Sequence, residues 1–393
     1  MADRDVTAYQ GFEQGPIRPP SEARSLLIRV TRNCQWNRCR FCPVYKGTQF
    51  SRRPLAHVLA DIEAVADAIS AIDPRAVGLG PSVVSFGPSG PTLAEPPIPR
   101  LVRRDPGAEV AAWNWYQNGM RSVFLQDANP LSVPPKEMLA ILGLLRERFP
   151  TIERITTYAR SKTLARISLE DLKEMRARGL DRVHIGFESG SDEVLQRMDK
   201  GVTKAVQIEA GRRVKAAGME LSAYYMPGLG GRELWRENAL ETADLMNQVN
   251  PDFIRLRTLA VPDRAPLYED MLEGRFVKAS DVETAHEILL FLEHLEGITS
   301  MVVSDHVLNL FEDLNGRLPE DKERMMVELR AFLVLDPEEQ VLYRVGRRCL
   351  LFAGLSDLGD RLRRDRAERL VKEFGATPDN VDAISDRLIE RFI

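Results

Sequence analysis

Three of the chain's four cysteines stand within nine residues, Cys34, Cys39 and Cys42, in the run Thr31-Arg-Asn-Cys-Gln-Trp-Asn-Arg-Cys-Arg-Phe-Cys42. Thiols this close together, directly after the apolar run Leu26 to Val30, ask for one shared metal centre. A closed zinc site wants four ligands, usually as two separated pairs. Here Cys349 stands alone, and none of the five histidines lies near the motif. A disulfide does not suit an odd cluster in a chain without a secretory signal. An iron-sulfur cube takes thiolates at short spacings and can keep one iron open. Cluster, zinc ion and coincidence are the three readings, and ligand count with spacing favours the cluster.

The elements that must hold such a loop read as α/β. After the strand at 26–30, a helix from about Leu55 to Ile69 places Leu55, Val58, Leu59, Ile62, Val65 and Ile69 on one face. Residues 78–110 are a Gly/Pro-rich insertion, either a surface loop or a substrate lid. Strands at 122–126, 154–159, 182–187, 219–226 and 253–259 then alternate with helices. One helix is opened by Ser168 and stopped by Gly179. Six repeats of this kind predict an α/β fold, a parallel sheet or barrel wrapped by helices. From Ser280, where Ser280-Asp-Val-Glu283 forms a capping box, the pattern is helical only. The expected organisation is an N-terminal extension (1–24), the barrel (25–262), a linker (263–279) and an all-helical C-terminal domain (280–393).

Composition bounds the function. An apolar fraction of 44% and a charged fraction of 28% are those of an ordinary globular enzyme. A net charge of −4 gives no reason to expect nucleic acid. No apolar run approaches the roughly 20 residues that span a bilayer, so no membrane association and a cytoplasmic location are expected. A cobalamin domain ahead of the barrel is not expected, since only about 25 residues precede it and domains typically need 50 or more.

Parallel sheets and barrels bind ligands at the carboxyl ends of their strands. The chemistry-bearing residues gather there: the cysteine loop after strand one, Gln126-Asp127-Ala128-Asn129 after strand two, Arg160 and Lys162 after strand three, Glu188-Ser189-Gly190 after strand four, and Pro227-Gly-Leu-Gly-Gly231 after strand five. Together with Phe41 before the last cysteine, Gly186-Phe-Glu-Ser-Gly190, Val194-Leu-Gln-Arg-Met-Asp-Lys200-Gly and Tyr224-Tyr-Met-Pro-Gly-Leu-Gly-Gly231, they give a pattern that resembles the radical S-adenosylmethionine (radical SAM) superfamily. The similarity covers about residues 25–262 and implies a six-fold (β/α) partial TIM-type barrel. It is strongest to the branch of oxygen-independent coproporphyrinogen oxidases and methylthiotransferases. One departure stands out: the spacing here is C-x4-C-x2-C where the family usually has C-x3-C-x2-C.

The resemblance implies an oxygen-sensitive enzyme. Cys34, Cys39 and Cys42 would hold one 4Fe-4S cluster whose open iron takes S-adenosylmethionine. Reductive cleavage would give a 5'-deoxyadenosyl radical that abstracts hydrogen from a small or medium organic substrate. A reduced flavodoxin or ferredoxin would be the electron donor. Gln126, Asp127 and Asn129 resemble the polar strand-two end that receives the cofactor's amino group. Glu188 matches the ribose contact, and Lys200 the carboxylate contact, with Arg160 competing. Gly228 and Gly230 would let backbone approach the adenine. Each also has a plain reading, as helix cap, helix terminus or turn. On strand six Arg255 and Arg257 share a face, as an anion clamp inside a barrel or as salt-bridged residues outside it. One of Tyr224 and Tyr225 should face inward, as cofactor contact, electron relay or core residue, and His184 is similarly placed. His286, His294 and His306 read as surface or satisfied core residues. Cys349 alone cannot support a second cluster. The competing class is an iron-sulfur electron-transfer or scaffold protein without radical chemistry, which has no use for a nucleoside pocket at Glu188 and Gly228.

Overall fold

The computed structural model describes residues 8–78, 83–87, 90–94 and 105–392. At its centre is an open sheet whose spatial order follows the chain: β1 (Leu26–Arg29), β2 (Ser122–Gln126), β3 (Arg154–Ala159), β4 (Leu180–Glu188), β5 (Glu220–Tyr225), β6 (Phe253–Leu256), β7 (Met301–Val303) and β8 (Gly316–Arg317). β1 through β7 pair in parallel, and β8 joins the far edge antiparallel. Helices between successive strands cover one face, and β1 does not pair with β8, which makes this a partial barrel.

Residues in register on parallel neighbours point to the same face. Tyr158 lies opposite His184, His184 opposite Ser222, and Tyr224 opposite both Gly186 and Arg255, so these line the interior. The alternate residues Val123, Leu125, Ile155, Val183, Ile185, Leu221, Ala223 and Ile254 are fully buried in the core beneath the helices. Each large aliphatic there contributes roughly 2 kcal/mol through burial, which fixes the sheet as a rigid platform.

The C-terminal region is helical, but β7 and β8 lie within it, so the purely helical pattern expected from Ser280 is corrected. Strands of three and two residues are too short for alternation to show in a sequence. Helix Asp281–Glu293, opened by the Ser280/Glu283 capping box, is thereby a crossover between β6 and β7, and the sheet runs past residue 262. The stretch 78–110 also contains more than a loop. Asp105 caps helix Pro106–Gln117 by accepting from the Gly107 and Ala108 amides, and Pro106 starts it. Val83–Gly87 pairs with Gly90–Ala94, while the remainder of 79–104 lies outside the described residues. The segment 263–279, read as a linker, carries helix Pro266–Leu272 and packs on the cysteine loop. Among the described residues no helix is long and apolar enough to cross a membrane.

Candidate cofactor site

The cysteine loop is pinched at its base, where Thr31–Arg32 pairs antiparallel with Ser51–Arg52. Its course is fixed from several sides. Trp36 Nε1 donates to the Asp199 carbonyl at 2.6 Å, the Arg40 amide to the Met198 carbonyl at 3.0 Å, and the Leu267 amide to the Arg40 carbonyl at 2.9 Å. Arg40 Nε also donates to Asp270 at 2.6 Å. Between the first two cysteines Asn37 turns the chain in left-handed geometry (φ 43°), with its amide donating to Cys34 Sγ at 3.5 Å. Asparagine tolerates that conformation better than most side chains, so a longer C-x4-C spacing closes without glycine. Phe41 is buried with Met198, Met226, Leu267 and Phe276, and Cys39 and Cys42 lean on the same apolar group.

Burial pushes the Cys39 and Cys42 thiols above their ordinary range, while the Lys200 ammonium favours both thiolates. Burial also lowers the Arg160 guanidinium, against the fields of Cys34 and Cys39. Three thiols and two cations thus share one neighbourhood. Lys200 Nζ lies 3.2 Å from Glu188 Oε1 and 5.4 Å from the centre of the Phe41 ring. Burial opposes its charge, yet Glu188 and Cys39 outweigh burial and raise it. Arg160 Nη2 donates to the Lys200 carbonyl at 3.0 Å, and its guanidinium lies 5.1 Å from the centre of the Trp36 ring.

Glu188 is held in an unusual way. The β4–β5 register shifts between Gly186 and Glu188, and Glu188 itself is left-handed (φ 65°), a conformation costing about 1–2 kcal/mol. A Cβ at Gly186 would stand 2.2 Å from Glu188 Oε1, so glycine keeps room for the carboxylate. The other oxygen, Oε2, is buried without a hydrogen-bond partner among the described residues. Strain and an unmet acceptor on one residue are the marks of a functional position.

The residues at the end of β2 hold protein to protein. Asp127 accepts from Arg29 Nη2 at 2.6 Å, the Asn33 amide at 3.2 Å and the Tyr45 hydroxyl at 2.5 Å, bracing the cysteine loop. Gln126 accepts from the Gly15 amide at 2.8 Å and donates to the Ile17 carbonyl at 2.6 Å. Asn129 ties Gln35 (3.1 Å) and Thr163 (2.9 Å) to the Arg160 amide (3.1 Å).

At the end of β5, Gly228 is left-handed (φ 86°) and its amide donates to Glu287 Oε2 at 2.9 Å. Gly230 is glycine because a Cβ would meet the Leu234 carbonyl at 2.6 Å, at the start of helix Gly231–Val249. Glu287, which sequence reasoning missed, also accepts from the Tyr225 hydroxyl and Asn238 Nδ2, both at 2.7 Å. Burial pushes it up to about 7. Its sequence signal is a carboxylate on the apolar face of helix Asp281–Glu293, three residues from Thr284 and four from Phe291.

Tyr225 therefore faces the helices, with Phe291 at 4.4 Å between ring centres, and Tyr224 faces the interior, where its buried hydroxyl is directed at that of Tyr158. His184 is buried 5.5 Å from the Tyr158 ring and 5.8 Å from that of Tyr224, with Glu22 3.7 Å from its Nε2. Burial pushes it down to about 4, so it is neutral at pH 7. Arg255 and Arg257 part company. Arg255 donates to Ser222 Oγ at 3.0 Å and pairs with Asp305 at 2.5 Å, whereas Arg257 is exposed.

A model of the radical SAM superfamily matches residues 28–243, more than half of the chain. The chain belongs to the radical SAM superfamily. It is similar to a tRNA-2-methylthio-N(6)-dimethylallyladenosine synthase of Pelobacter propionicus, 26% identical over 303 residues that cover 75% of this chain and 54% of that one. It is also similar to a tRNA uridine(34) acetyltransferase of Methanocaldococcus jannaschii, 24% identical over 127 residues, 32% of this chain and 23% of that one. The radical SAM chain thus spans between about a quarter and a half of the length of these relatives. Among solved structures it is similar to methylornithine synthase (12% identity, 78% of this chain and 68% of that one, TM-score 0.42). A second is coproporphyrinogen III oxidase from Escherichia coli (15% identity, 64% of this chain and 52% of that one, TM-score 0.38). Members of the superfamily are enzymes, and so is this radical SAM protein.

The residues present fit the superfamily's cofactors. All three clustered cysteines are free thiols. Three thiolates of one loop with no fourth cysteine or histidine beside them in the sequence suit a cube with one open iron better than a closed zinc site. The unmet Glu188 oxygen suits a hydroxyl donor, and the cations beside the thiols suit a carboxylate.

Proposed function

We propose that this protein uses one 4Fe-4S cluster on Cys34, Cys39 and Cys42 to cleave S-adenosylmethionine. The observation that carries this reading is the unmet, buried Glu188 Oε2 on a strained residue whose Lys200 partner lies in the field of the cysteines. When bound, the cluster and S-adenosylmethionine supply reductive cleavage of the sulfonium and a 5'-deoxyadenosyl radical that takes hydrogen from a small or medium organic substrate.

This chain's own residues bind, orient and exclude water. Glu188 accepts a ribose hydroxyl, Lys200 and Arg160 offer charge to the methionine carboxylate, and the backbone at Gly228 and Gly230 approaches the adenine. Phe41 and its apolar neighbours keep water from the thiolates, which sustains a low cluster potential. Asp127 and Asn129 position the loop, and Gln126 holds the N-terminal segment at Gly15 and Ile17. An electron carrier without radical chemistry would have no use for the Glu188 geometry. Reduced flavodoxin or ferredoxin fits as donor, and the free cysteines fit the cytoplasm.

A second reading, an RNA substrate, is favoured by one observation. Arg38, Arg160 and Lys162 surround the Trp36 ring at 5.2, 5.1 and 5.8 Å from its centre, a basic aromatic surface like those that stack bases. The names of the curated relatives point the same way. The test is mass-spectrometric analysis of anaerobic reactions with dithionite and S-adenosylmethionine. The account expects 5'-deoxyadenosine. Methylthioadenosine would show that another sulfonium bond breaks, and absence of any nucleoside product from iron-loaded protein would reject the proposal.

A further inference from the structure

Resting on the reading above, the geometry points to a carboxylate-recognising substrate subsite at the mouth of the barrel interior, built from Arg257, His306, Tyr158 and Tyr224. Arg257 continues the inward-facing alternation of β6 but, unlike Arg255, forms no ion pair among the described residues and is exposed. Its backbone is fixed on both sides: its amide donates to the Tyr225 carbonyl at 3.0 Å, and the Thr258 amide to Asn309 Oδ1 at 2.9 Å. The guanidinium fork therefore leaves from an anchored point, which lowers the entropy lost on binding.

Around it the polar groups are donors. The buried Tyr224 hydroxyl is directed at that of Tyr158, with the two rings 6.3 Å apart, so the pair keeps one O–H to offer a ligand. His306 is placed beside Arg257 through Asn309, whose backbone amide donates to the His306 carbonyl at 2.9 Å while its Oδ1 takes the amide of Thr258, the next residue after Arg257. His306 Nδ1 accepts from the Leu308 amide at 3.3 Å, which leaves its proton on Nε2. Asp305, the nearby carboxylate, is taken by Arg255. One cationic fork with neutral donors matches a planar monoanion, and a phosphate dianion would leave charge unbalanced. Tyr158 also feels the field of Glu188, so the subsite borders the proposed ribose contact. A substrate anchored there by its carboxylate would present its body toward the cofactor.

The experiment is a ligand-observed NMR screen of the reconstituted holoprotein with S-adenosylmethionine. It uses a fragment set of small carboxylates, each paired with its neutral primary amide. Carboxylates should bind at millimolar concentration or better and their amides should not. Arg257→Gln should weaken that binding at least tenfold, and Arg257→Lys should restore part of it. No carboxylate binding, equal binding of the amides, or unchanged binding to Arg257→Gln overturns the inference. Nucleoside formation by the wild-type protein is measured in parallel. Its presence without carboxylate binding counts against this inference alone, and its absence with binding intact counts against the proposed function alone.

Discussion

Two buried charge clusters in this molecule look alike in composition and differ in completeness. In the C-terminal region Asp281 accepts from Arg344 Nε at 2.9 Å and from Arg348 Nη2 at 2.6 Å, so both carboxylate oxygens are occupied. Arg344 also binds Asp382, and Arg348 donates to the Leu308 carbonyl at 2.6 Å. Despite burial, the two arginines hold Asp281 far below the usual carboxylate range. At the rim, Glu188 has one oxygen on Lys200 and the other on nothing, and its backbone is strained. The first cluster is a brace that joins helix Asp281–Glu293 to helix Pro337–Arg348. The second keeps binding capacity in reserve. Arg348 Nε is itself buried without a partner among the described residues, so what separates brace from site is the carboxylate: both oxygens taken at Asp281, one left open at Glu188.

The largest effect should come from the rim. Cys39→Ala is expected to abolish nucleoside formation and to lower the iron retained after desalting, while circular dichroism of the metal-free protein stays unchanged. The brace should behave in the opposite way. Asp281→Asn leaves two buried guanidinium groups short of a counter-charge and should lower stability by about 3–5 kcal/mol in urea titrations. Iron content below the unfolding transition should not change. Equal loss of stability in Glu188→Gln would erase the contrast. That variant is expected instead to weaken S-adenosylmethionine binding by about tenfold in equilibrium dialysis, roughly one lost charged hydrogen bond.

Smaller effects concern pH, through two buried groups that are neither brace nor rim. Glu287 is raised when folded, so its contribution is complete below its unfolded value and is lost as pH rises through about 7. His184 is lowered when folded, so its contribution is complete above its unfolded value and is lost as pH falls through about 4. Each is worth at most roughly 3 kcal/mol, and where the windows overlap the slopes oppose. Stability of the wild-type protein should therefore change little between about pH 4.5 and 6.5 from these two groups. His184→Asn should expose a decline with rising pH in that interval, and an unchanged profile would show that His184 is not a buried neutral imidazole.

The parallel strands and the cysteine loop were legible because long apolar runs and clustered thiols leave local signals. β7 and β8 were not, since strands of three and two residues carry no period. Gln126 and Asp127 looked like ligand contacts because a polar strand end is ambiguous until its partners are seen. Those partners, Gly15, Arg29 and Tyr45, lie between 82 and 111 residues away in the chain. Glu287 leaves only the faint signal of a carboxylate on an apolar helix face, because its partners Tyr225 and Asn238 lie 62 and 49 residues away. The division of labour between Arg255 and Arg257 depends on Asp305, which no spacing rule connects to β6.

The most direct measurement is electron paramagnetic resonance of the anaerobically reconstituted, dithionite-reduced protein with and without S-adenosylmethionine. The account predicts about four irons per chain and a cluster signal that changes when the nucleoside binds, because three thiolates leave one iron open. A colourless protein holding stoichiometric zinc, or a cluster signal indifferent to S-adenosylmethionine, would contradict it.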